Sequence, residues 1–438
     1  MSTSFGGDLS VLGDKLVESA TAFDLIASRQ HIVAGMAAAE PVNFFNNIGD
    51  ICQAKEGVTL HCANPTQDYS CFTQDNLQGR LQTNVMFLTS KVRHLQGREI
   101  VHYVPQHLSQ WVRHLLLRGE VDIFWGSCTP PDSRGFVSLG PGCCYESEIL
   151  KAAKTVVLEV NPNMPVTYGA THVPVQWVDY FVRSDHPLPT IDRASVNDAD
   201  RKIAQFVAEL VADGSTIQLG IGSIPNAIGD ALKAKKDLGV HTEMINDTMM
   251  DLYQAGVVTG RHKSIFPGKM VGAFAYGTRE LYDFIDRNPA VEMQPASVTN
   301  DPFRISRNTK MVSVNTAVEI DITGQVCSES VGHRELSGVG GAAETHIGAQ
   351  WGKGGRGIIA VRSTAQTKQG PKSKITFELA PGAKVSISRN DVDTVVTEYG
   401  VAELMGRSVA ERVKALVGIA DPQFRDELLH KARQACYL

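Results

Sequence analysis

The chain has 438 residues, of which 43% are hydrophobic and 20% are charged, as is typical of a soluble globular enzyme. This length exceeds one ordinary hydrophobic core, so two domains are expected. The net charge is -5, which gives a nucleic-acid-binding role no electrostatic support.

The N-terminus and the cysteines bear on the cellular compartment. No apolar stretch approaches the length of a membrane span, and residues 1–8 lack the basic start and apolar run of a signal peptide. The eight cysteines are sparse and include no CxxC pair, a pattern that favours reduced thiols. A cytoplasmic protein with no membrane partner is therefore predicted.

Helical and extended segments alternate in the first half of the chain. Helices are predicted over 14–28 and 107–119, the second with Trp111, Leu115 and Leu116 on one face. Strands are predicted over 31–36, 121–125 and 155–160. This alternation predicts an α/β fold with an open, mainly parallel sheet covered by helices.

The composition changes after residue 184. Pro187 and Pro189 prevent a regular helix, and polar residues follow as far as Asp200. We predict an N-terminal α/β domain over 1–186, a linker over 187–200 and a C-terminal α/β domain over 201–438.

A glycine-rich turn opens the second domain. After an amphipathic helix over 203–211, a strand is predicted over 216–219 and a helix over 225–236, with Gly220 and Gly222 between them. Pro225 stands where the third glycine of a dinucleotide-binding motif would be, which weakens that interpretation. The turn either presents backbone N–H groups to an anion or serves only to reverse the chain.

Glu243 follows this turn near the carboxyl end of a predicted strand. Val240, Thr242 and Met244 share one face of a period-2 pattern, so Glu243 points the other way. A helix is predicted over 248–255, with Asp247 as a candidate N-cap and Gly256 as its stop. Ligands of open α/β sheets bind at such strand ends, although a surface ion pair is the commoner role of a glutamate there.

A second glycine cluster occupies 337–344, with glycines at 338, 340 and 341 and no Walker lysine. Backbone could approach a ligand closely there, for example a thioester carbonyl or a long bent cofactor. The structural alternative is a flexible surface loop.

Metal and serine-hydrolase chemistry find little support in the sequence. His61, Cys62 and Cys71 lack the paired spacing of a zinc site, and the histidines at 94, 102, 107 and 114 show no i, i+4 pairing around a carboxylate. No GxSxG elbow occurs in the chain. A carboxylate nucleophile remains available.

Several segments together resemble the acetyl-CoA hydrolase/transferase family, and within it most of all the 4-hydroxybutyrate CoA-transferases. The matching motifs, which span most of the chain, lie at 130–135, 161–165, 220–227, 241–252, 337–341, 396–400 and 419–425. The resemblance implies two tandem open α/β domains of the CoA-transferase type, the second carrying the catalytic glutamate.

The resemblance also implies the roles of individual residues. Glu243 matches the family's catalytic glutamate. The implied CoA-binding residues are Gly220, Ile221, Gly222, Ser223, Ile224, Gly338, Gly340 and Gly341. Coenzyme A is expected as a substrate, with no metal and no permanently bound cofactor, and the protein is expected to be a homo-oligomer, a dimer.

The implied reaction moves CoA between short carboxylic acids, with acetyl-CoA and 4-hydroxybutyrate or butyrate as expected substrates. It proceeds by a ping-pong mechanism through a glutamyl-CoA thioester. One alternative is an acyl-CoA hydrolase, in which water intercepts the same intermediate. A second is a non-catalytic CoA-binding regulatory subunit, which would have no use for Glu243.

Two segments depart from the family pattern. Ala342-Ala343-Glu344-Thr345 replaces the usual Gln-x-Asp-Phe after the double glycine, which leaves the acceptor and the role of Glu344 open. Arg362 replaces a usual proline, and Lys368 stands later than the family's lysine after the Ser-Thr-Ala motif.

Overall fold

The computed structural model describes residues 8–438, which form two compact units. The first holds the chain up to Ile191 together with Val271–Thr299, and the second holds Asp192–Met270 together with Asn300–Leu438. The predicted C-terminal domain, 201–438, includes segment 271–299, which the structure groups with the first unit. The predicted domain boundaries stay a prediction. No helix within 8–438 is both long and apolar enough to cross a membrane.

Up to Ile191 the chain alternates strands with helices. The strands are β1 (Leu16–Val17), β2 (His31–Ala34), β3 (Val58–Cys62), β4 (Leu81–Val85), β5 (Val101–Tyr103), β6 (Ile123–Cys128), β7 (Phe136–Ser138), β8 (Thr155–Val160), β9 (His172–Pro174) and β10 (Tyr180–Arg183). The α-helices are α1 (Ser19–Phe23), α2 (Val42–Cys52), α3 (Trp111–Arg118) and α4 (Glu146–Ala152). Short 3-10 helices lie at Leu9–Lys15, Ala37–Ala39, Ser70–Phe72, Asp75–Leu77, Arg93–Leu95, Leu108–Gln110 and Val175–Trp177.

The middle of the chain, from Asp192 to Thr299, continues the alternation. Its strands are β11 (Thr216–Leu219), β12 (Gly239–His241), β13 (Met244–Ile245), β14 (Met270–Gly272), β15 (Phe274–Ala275) and β16 (Val291–Met293). Its helices are α5 (Asp198–Leu210), α6 (Ser223–Leu232), α7 (Asp247–Gln254), α8 (Arg279–Ile285) and α9 (Ala296–Thr299).

The remainder of the second unit completes the fold. Its strands are β17 (Met311–Asn315), β18 (Glu319–Asp321), β19 (Val326–Cys327), β20 (Ser330–Val331), β21 (Arg334–Glu335), β22 (Arg356–Ala360), β23 (Thr364–Thr367), β24 (Gly370–Ser373), β25 (Ile375–Thr376), β26 (Thr394–Thr397) and β27 (Gly400–Glu403). Its helices are α10 (Pro302–Ile305), α11 (Ala342–Trp351), α12 (Val409–Ile419) and α13 (Pro422–Gln434).

The first unit is built on an eight-stranded sheet with the order β1-β10-β8-β6-β2-β3-β4-β5. Every neighbouring pair in it is parallel. All six residues of β6 are buried, as expected for a central strand that is covered on both faces. The predicted α/β fold with a mainly parallel sheet is confirmed.

The second unit is also built on a mainly parallel sheet, but one edge strand of this sheet is antiparallel. Strands β12-β11-β17-β22-β26 are parallel in that order, and β27 joins the edge in the antiparallel direction. Helices α12 and α13 contribute Leu416, Val417 and Leu428 to the apolar core of this unit. The sheet therefore offers a rigid edge at the carboxyl ends of its parallel strands, where loops can carry a site.

The helix predicted over 14–28 is wrong. Leu16 and Val17 form β1, which pairs in parallel with Phe181 and Val182, and only Ser19–Phe23 is α-helical. Pairing with a strand that lies far away in sequence overrides the local helical pattern.

The helix predicted over 107–119 is shorter than expected. The α-helix covers Trp111–Arg118 and ends at Gly119, whose φ of 70° is left-handed. Trp111 and Leu115 are buried, whereas Leu116 is 46% exposed, so the predicted placing of all three on one face is wrong for Leu116.

Helix α5 begins inside the predicted linker. Asn197 caps it by accepting a hydrogen bond from the backbone N–H of Asp200, and the Asp200 carboxylate accepts one from the Asn197 N–H in return. The last three residues of the linker, 198–200, are therefore helical. The helix ends at Leu210, before the predicted stop at Gly214.

Candidate active site

The first glycine turn connects the carboxyl end of β11 to α6. Gly222 has a φ of 119°, a conformation that side chains rarely adopt, and α6 begins at Ser223. The predicted start at Pro225 and end at Lys236 are wrong, since α6 covers Ser223–Leu232 and Pro225 is its third residue. Pro225 fits because N–H groups of the first helical turn have no partner within the helix.

Open space adjoins this turn. A Cβ atom added to Gly220 or Gly222 would meet no heavy atom within 4 Å, and Ile221 is 46% exposed. Ser223 is partly buried and Ile224 is buried. The backbone around Gly220 and Gly222 is therefore accessible to a ligand at a helix N-terminus.

Glu243 lies in a break between two short strands, β12 and β13. The continuous strand predicted through Val240, Thr242 and Met244 is wrong in this respect, because the chain leaves β12 after His241. The glutamate still follows the carboxyl end of a parallel strand in the sheet of the second unit.

Asn246 ties this segment to the glycine turn. Its Oδ1 atom accepts a hydrogen bond from the Met249 N–H at 3.2 Å, so Asn246 caps α7 and the predicted N-cap at Asp247 is wrong. Its Nδ2 atom donates to the Gly220 carbonyl oxygen at 2.8 Å. The turn and the glutamate segment are thereby held in a fixed relation. At the other end of α7, the predicted stop at Gly256 is confirmed by its φ of 73°.

Two hydrogen-bond donors contact the Glu243 carboxylate. Asn300 Nδ2 donates to Oε2 at 3.0 Å, and the backbone N–H of Gly341 donates to the same carboxylate. Burial raises the pKa of Glu243, and the two hydrogen bonds act in the opposite direction without cancelling that effect. The glutamate is thus more basic than usual but is held by groups that stabilise its anion.

Gly341 approaches Glu243 so closely that no side chain fits between them. A Cβ atom at position 341 would lie 2.3 Å from Glu243 Oε2 and 1.9 Å from Asn300 Nδ2. Gly341 is also the N-cap residue of α11, so its N–H is free of the helical hydrogen-bond ladder. Close backbone approach is the physical reason for glycine here.

The second glycine cluster therefore lies beside the glutamate. Gly338 is buried, Gly340 has a left-handed φ of 53°, and Gly341 contacts Glu243. Glu344 is 4% exposed in the first turn of α11. A flexible surface loop, the structural alternative for this cluster, does not account for such packing. The catalytic role of Glu243 and the CoA-binding roles of the glycines stay predictions.

Arg362, which departs from the family pattern, contacts the first glycine turn. Its Nε and Nη2 atoms each donate to the Asp200 carboxylate at 2.8 Å, and Nη2 also donates to Ser223 Oγ at 2.9 Å. Asp200 is fully buried at the start of α5. The guanidinium therefore couples α5 to the first residue of α6.

Lys368 lies away from this packing, in the exposed turn between β23 and β24. Lys374 is the partly buried lysine near Arg362, and its Nζ donates to the Ala317 carbonyl oxygen at 2.8 Å. Burial, and then the positive charge of Arg362, lower the pKa of Lys374 to about 8.

Asn300 and Lys374 were not found by sequence reasoning. Asn300 is 57 residues from Glu243 and belongs to no recognisable motif, so only folding reveals the pair. Lys374 offered one signal in the sequence, since it is the third lysine after the Ser-Thr-Ala motif. It lies directly before β25, which pairs with β18.

Comparisons with known proteins agree with this geometry. The acetyl-CoA hydrolase/transferase N-terminal domain model matches residues 12–192, and the corresponding C-terminal domain model matches residues 277–432. The two matches lie in tandem, as the motifs predicted.

Relatives resemble the chain over nearly its whole length. It is 38% identical over 424 residues to a 4-hydroxybutyrate coenzyme A transferase of Clostridium kluyveri, covering 96% of this chain and 98% of that protein. It is also 38% identical to a succinyl-CoA:cyclohexane-1-carboxylate CoA transferase of Geobacter metallireducens, covering 91% of this chain and 90% of that protein.

A solved structure shows the same fold. The crystal structure of RipA from Yersinia pestis superposes with a TM-score of 0.92 at 33% identity, covering 98% of this chain and 100% of that one. On these matches, the chain belongs to the acetyl-CoA hydrolase/transferase family of enzymes.

Proposed function

We propose that this enzyme transfers CoA between short-chain carboxylic acids, with Glu243 as the covalent nucleophile. The observation that carries the proposal is the Glu243 carboxylate, which follows a strand end and contacts the Gly341 N–H and Asn300 Nδ2. Its raised pKa supports this role, since a more basic carboxylate is a better nucleophile while remaining ionised above that pKa.

The first half-reaction forms a thioester on the enzyme. A Glu243 carboxylate oxygen attacks the acyl-CoA carbonyl carbon, and the CoA thiolate leaves to give a mixed acyl-glutamyl anhydride. The thiolate then attacks the Glu243 carboxyl carbon. The original carboxylate departs, and glutamyl-CoA remains.

The second half-reaction reverses these steps with a new acid. The incoming carboxylate attacks the glutamyl-CoA carbonyl and releases CoA thiolate, which then attacks the acyl carbon of the new anhydride. Glu243 leaves as a free carboxylate, and the new acyl-CoA departs. No proton is gained or lost overall, so the reaction needs neither a metal nor a separate base.

Asn300 and Gly341 supply electrostatic stabilisation in this scheme. When thiolate attacks the Glu243 carboxyl carbon, negative charge develops on a glutamate oxygen. The Asn300 amide and the Gly341 N–H already donate to this carboxylate, so they form an oxyanion hole for the enzyme's own side chain. Such preorganised donors lower the barrier without reorganising during the reaction.

The proposed substrates are acetyl-CoA with 4-hydroxybutyrate or butyrate. The likeness to the Clostridium kluyveri transferase supports 4-hydroxybutyrate as one of the acids. The open backbone at Gly220 and Gly222, together with Ser223 at the start of α6, supports a binding role for the first turn toward an anionic part of CoA.

Intact-protein mass spectrometry tests the nucleophile. After incubation with acetyl-CoA and no acceptor acid, the protein should gain the mass of CoA less one water. Glu243→Ala and Glu243→Gln should both lack this adduct, whereas Glu344→Gln, which changes a buried glutamate of the second unit, should retain it. An adduct that persists in Glu243→Gln would show that another residue is the nucleophile.

The fate of the adduct separates the two enzymatic alternatives. For a transferase, 4-hydroxybutyrate or butyrate should discharge the isolated glutamyl-CoA protein to the corresponding acyl-CoA. For a hydrolase, water should discharge it to free CoA at the same rate with or without an acid. A protein that binds acetyl-CoA but forms no adduct and releases no product would fit the non-catalytic subunit.

A further inference from the structure

A cluster of metal-ligating side chains lies in the first unit, on its parallel sheet. His31 begins β2 and His61 is the fourth residue of β3, and the register pairs His31 with Thr59 and Val33 with His61. The two histidines therefore lie on the same face, diagonally across adjacent strands. Glu120 approaches them from the loop between α3 and β6.

The three side chains direct potential ligand atoms toward one point. His31 Nδ1 lies 3.1 Å from His61 Nε2, and His61 Nε2 lies 3.8 Å from Glu120 Oε2. All three ligand atoms lie within 4.8 Å of one another. Metal–ligand bonds of about 2.0–2.2 Å in tetrahedral geometry require ligand atoms about 3.4 Å apart. The separations of 3.1 and 3.8 Å lie on either side of that value, so small side-chain rotations would complete the geometry.

The chemistry of the three atoms also favours a cation. A carboxylate oxygen is an acceptor only, and each neutral imidazole has one ring nitrogen that carries a lone pair and no proton. A single proton between the histidines satisfies the 3.1 Å contact but leaves Glu120 Oε2 facing an imidazole nitrogen at 3.8 Å without a hydrogen bond. A metal ion would accept electron pairs from all three atoms at once.

Neighbouring groups hold the ligands in place. The His31 backbone N–H donates to Asp122 Oδ2 at 2.8 Å, which fixes the start of β2. Arg118 Nε and Nη2 both contact Glu120 Oε1 at 2.6 Å, so that oxygen is occupied and Oε2 faces the histidines. Hydrogen bonds of this kind orient ligands in known metal sites.

One side of the cluster is open. His61 and Glu120 line a cavity of about 360 Å³, whose wall also contains Trp111, His107 and His114. His61 itself is 2% exposed, so access to the cluster is through this cavity. An ion bound by three protein ligands would keep a further coordination position toward that space.

We propose that His31 Nδ1, His61 Nε2 and Glu120 Oε2 bind one divalent transition-metal ion of the zinc class, with an open coordination position facing the cavity. Two imidazoles and one carboxylate form a ligand set that zinc and cobalt accept. The site belongs to the first unit, and the reaction proposed at Glu243 does not use it.

Cobalt binding tests the site without reference to catalysis. The full chain, freed of metal by a chelator, is titrated with Co(II), and the visible d–d absorption of the bound ion is recorded. One equivalent should bind with intense bands typical of four-coordinate cobalt, and one equivalent of Zn(II) should abolish them. His31→Ala and Glu120→Gln should each weaken binding by at least about 100-fold, since loss of even an outer-shell partner of a metal ligand typically costs about 10- to 100-fold.

His102→Ala is the matched control, since His102 is an exposed histidine of the same sheet outside the cluster. It should leave cobalt binding unchanged. Circular dichroism should show that each variant remains folded. If His31→Ala unfolds, Glu120→Gln alone tests the metal site. Absence of d–d bands in the wild type, or equal binding by the folded Glu120→Gln variant, would show that the histidines form only a hydrogen-bonded pair.

Discussion

Two glutamates, one in each unit, lie near the carboxyl end of a parallel strand but have different surroundings. Glu159 lies on β8 and is fully buried, with hydrogen bonds from the Asn43 and Phe44 N–H groups and from Ser184 Oγ. Glu243 follows β12, is only partly buried and contacts Asn300 and the Gly341 N–H.

Burial of a carboxylate therefore does not by itself indicate catalysis. Burial raises the pKa of Glu159 to about 7, and it raises the pKa of Glu243 as well. Glu159 is enclosed by the N-terminus of α2 and serves to hold that helix on the sheet. Glu243 contacts the backbone of Gly341, and Asn246 links its segment to the turn at Gly220 and Gly222, which leaves open space for a ligand. Its basicity can therefore be used on a substrate.

The largest expected effect comes from exchanging each carboxylate for an amide. Glu243→Gln should lower kcat for CoA transfer by about 10³-fold or more, because the amide cannot form the anhydride. Glu159→Gln should retain the glutamyl-CoA adduct but melt at a lower temperature, because its NH2 group would oppose the backbone donors of α2. Transfer assays and thermal unfolding measure the two effects. Loss of the adduct in a folded Glu159→Gln protein would contradict the distinction between a structural Glu159 and a catalytic Glu243.

Gly341→Ala should have the next largest effect. Its Cβ atom would overlap Asn300 Nδ2 and Glu243 Oε2, so the glutamate and its donor must separate. We expect kcat to fall by about 10²- to 10³-fold through lost positioning and oxyanion stabilisation. The control is Gly418→Ala, at an exposed site of α12 where a Cβ atom meets nothing within 4 Å. Steady-state kinetics should show this variant unchanged, and wild-type kcat in Gly341→Ala would contradict the close approach.

Asn300→Ala should lower kcat by about 10²-fold, the effect of removing one oxyanion donor. It should also move the acid limb of kcat/KM to higher pH. The Asn300 hydrogen bond lowers the Glu243 pKa, so its loss raises that pKa further and the carboxylate is protonated at a higher pH.

Ser184→Ala is the matched comparison, because it removes a donor from Glu159 instead. Its pH profile should coincide with that of the wild type. If both variants shift the acid limb equally, or if neither does, the limb does not report the ionisation of Glu243.

Arg362→Lys should have the smallest effect. It loses the paired hydrogen bonds to buried Asp200 and the contact with Ser223, at a cost of about 1.5–3 kcal/mol in the free energy of unfolding. The first glycine turn should loosen, so KM for acetyl-CoA should rise about two- to tenfold while the glutamyl-CoA adduct still forms.

Arg356→Lys, in the more exposed pair with Glu403, is the control and should cost less than about 1 kcal/mol. Denaturant unfolding and KM measurements check both variants. An unchanged KM in Arg362→Lys would mean that Arg362 supports α5 alone and has no influence on the turn.

Local sequence predicted those elements whose signals are complete within a few residues. Strands β8 and β11 were predicted with the bounds that the structure has, because each is a short apolar run between turn residues. The helix predicted over 14–28 failed, since β1 exists only through its pairing with β10. Helix α6 begins two residues before its predicted start, after Gly222, which offers no side chain for a cap. The N-cap of α7 lies one residue before the predicted one, because the Asn246 side chain accepts the capping hydrogen bond.

Periodicity and motifs that are continuous in the chain were enough to predict the α/β class, the glycine turns, the family and the candidate glutamate. Only the tertiary structure brought Asn300 and Gly341 to Glu243, Arg362 to Ser223, and His31 and His61 to Glu120. These contacts join residues from elements that are distant in sequence, and for His31 and His61 the register of two parallel strands sets the distance. The spacing of residues along the chain does not predict that register.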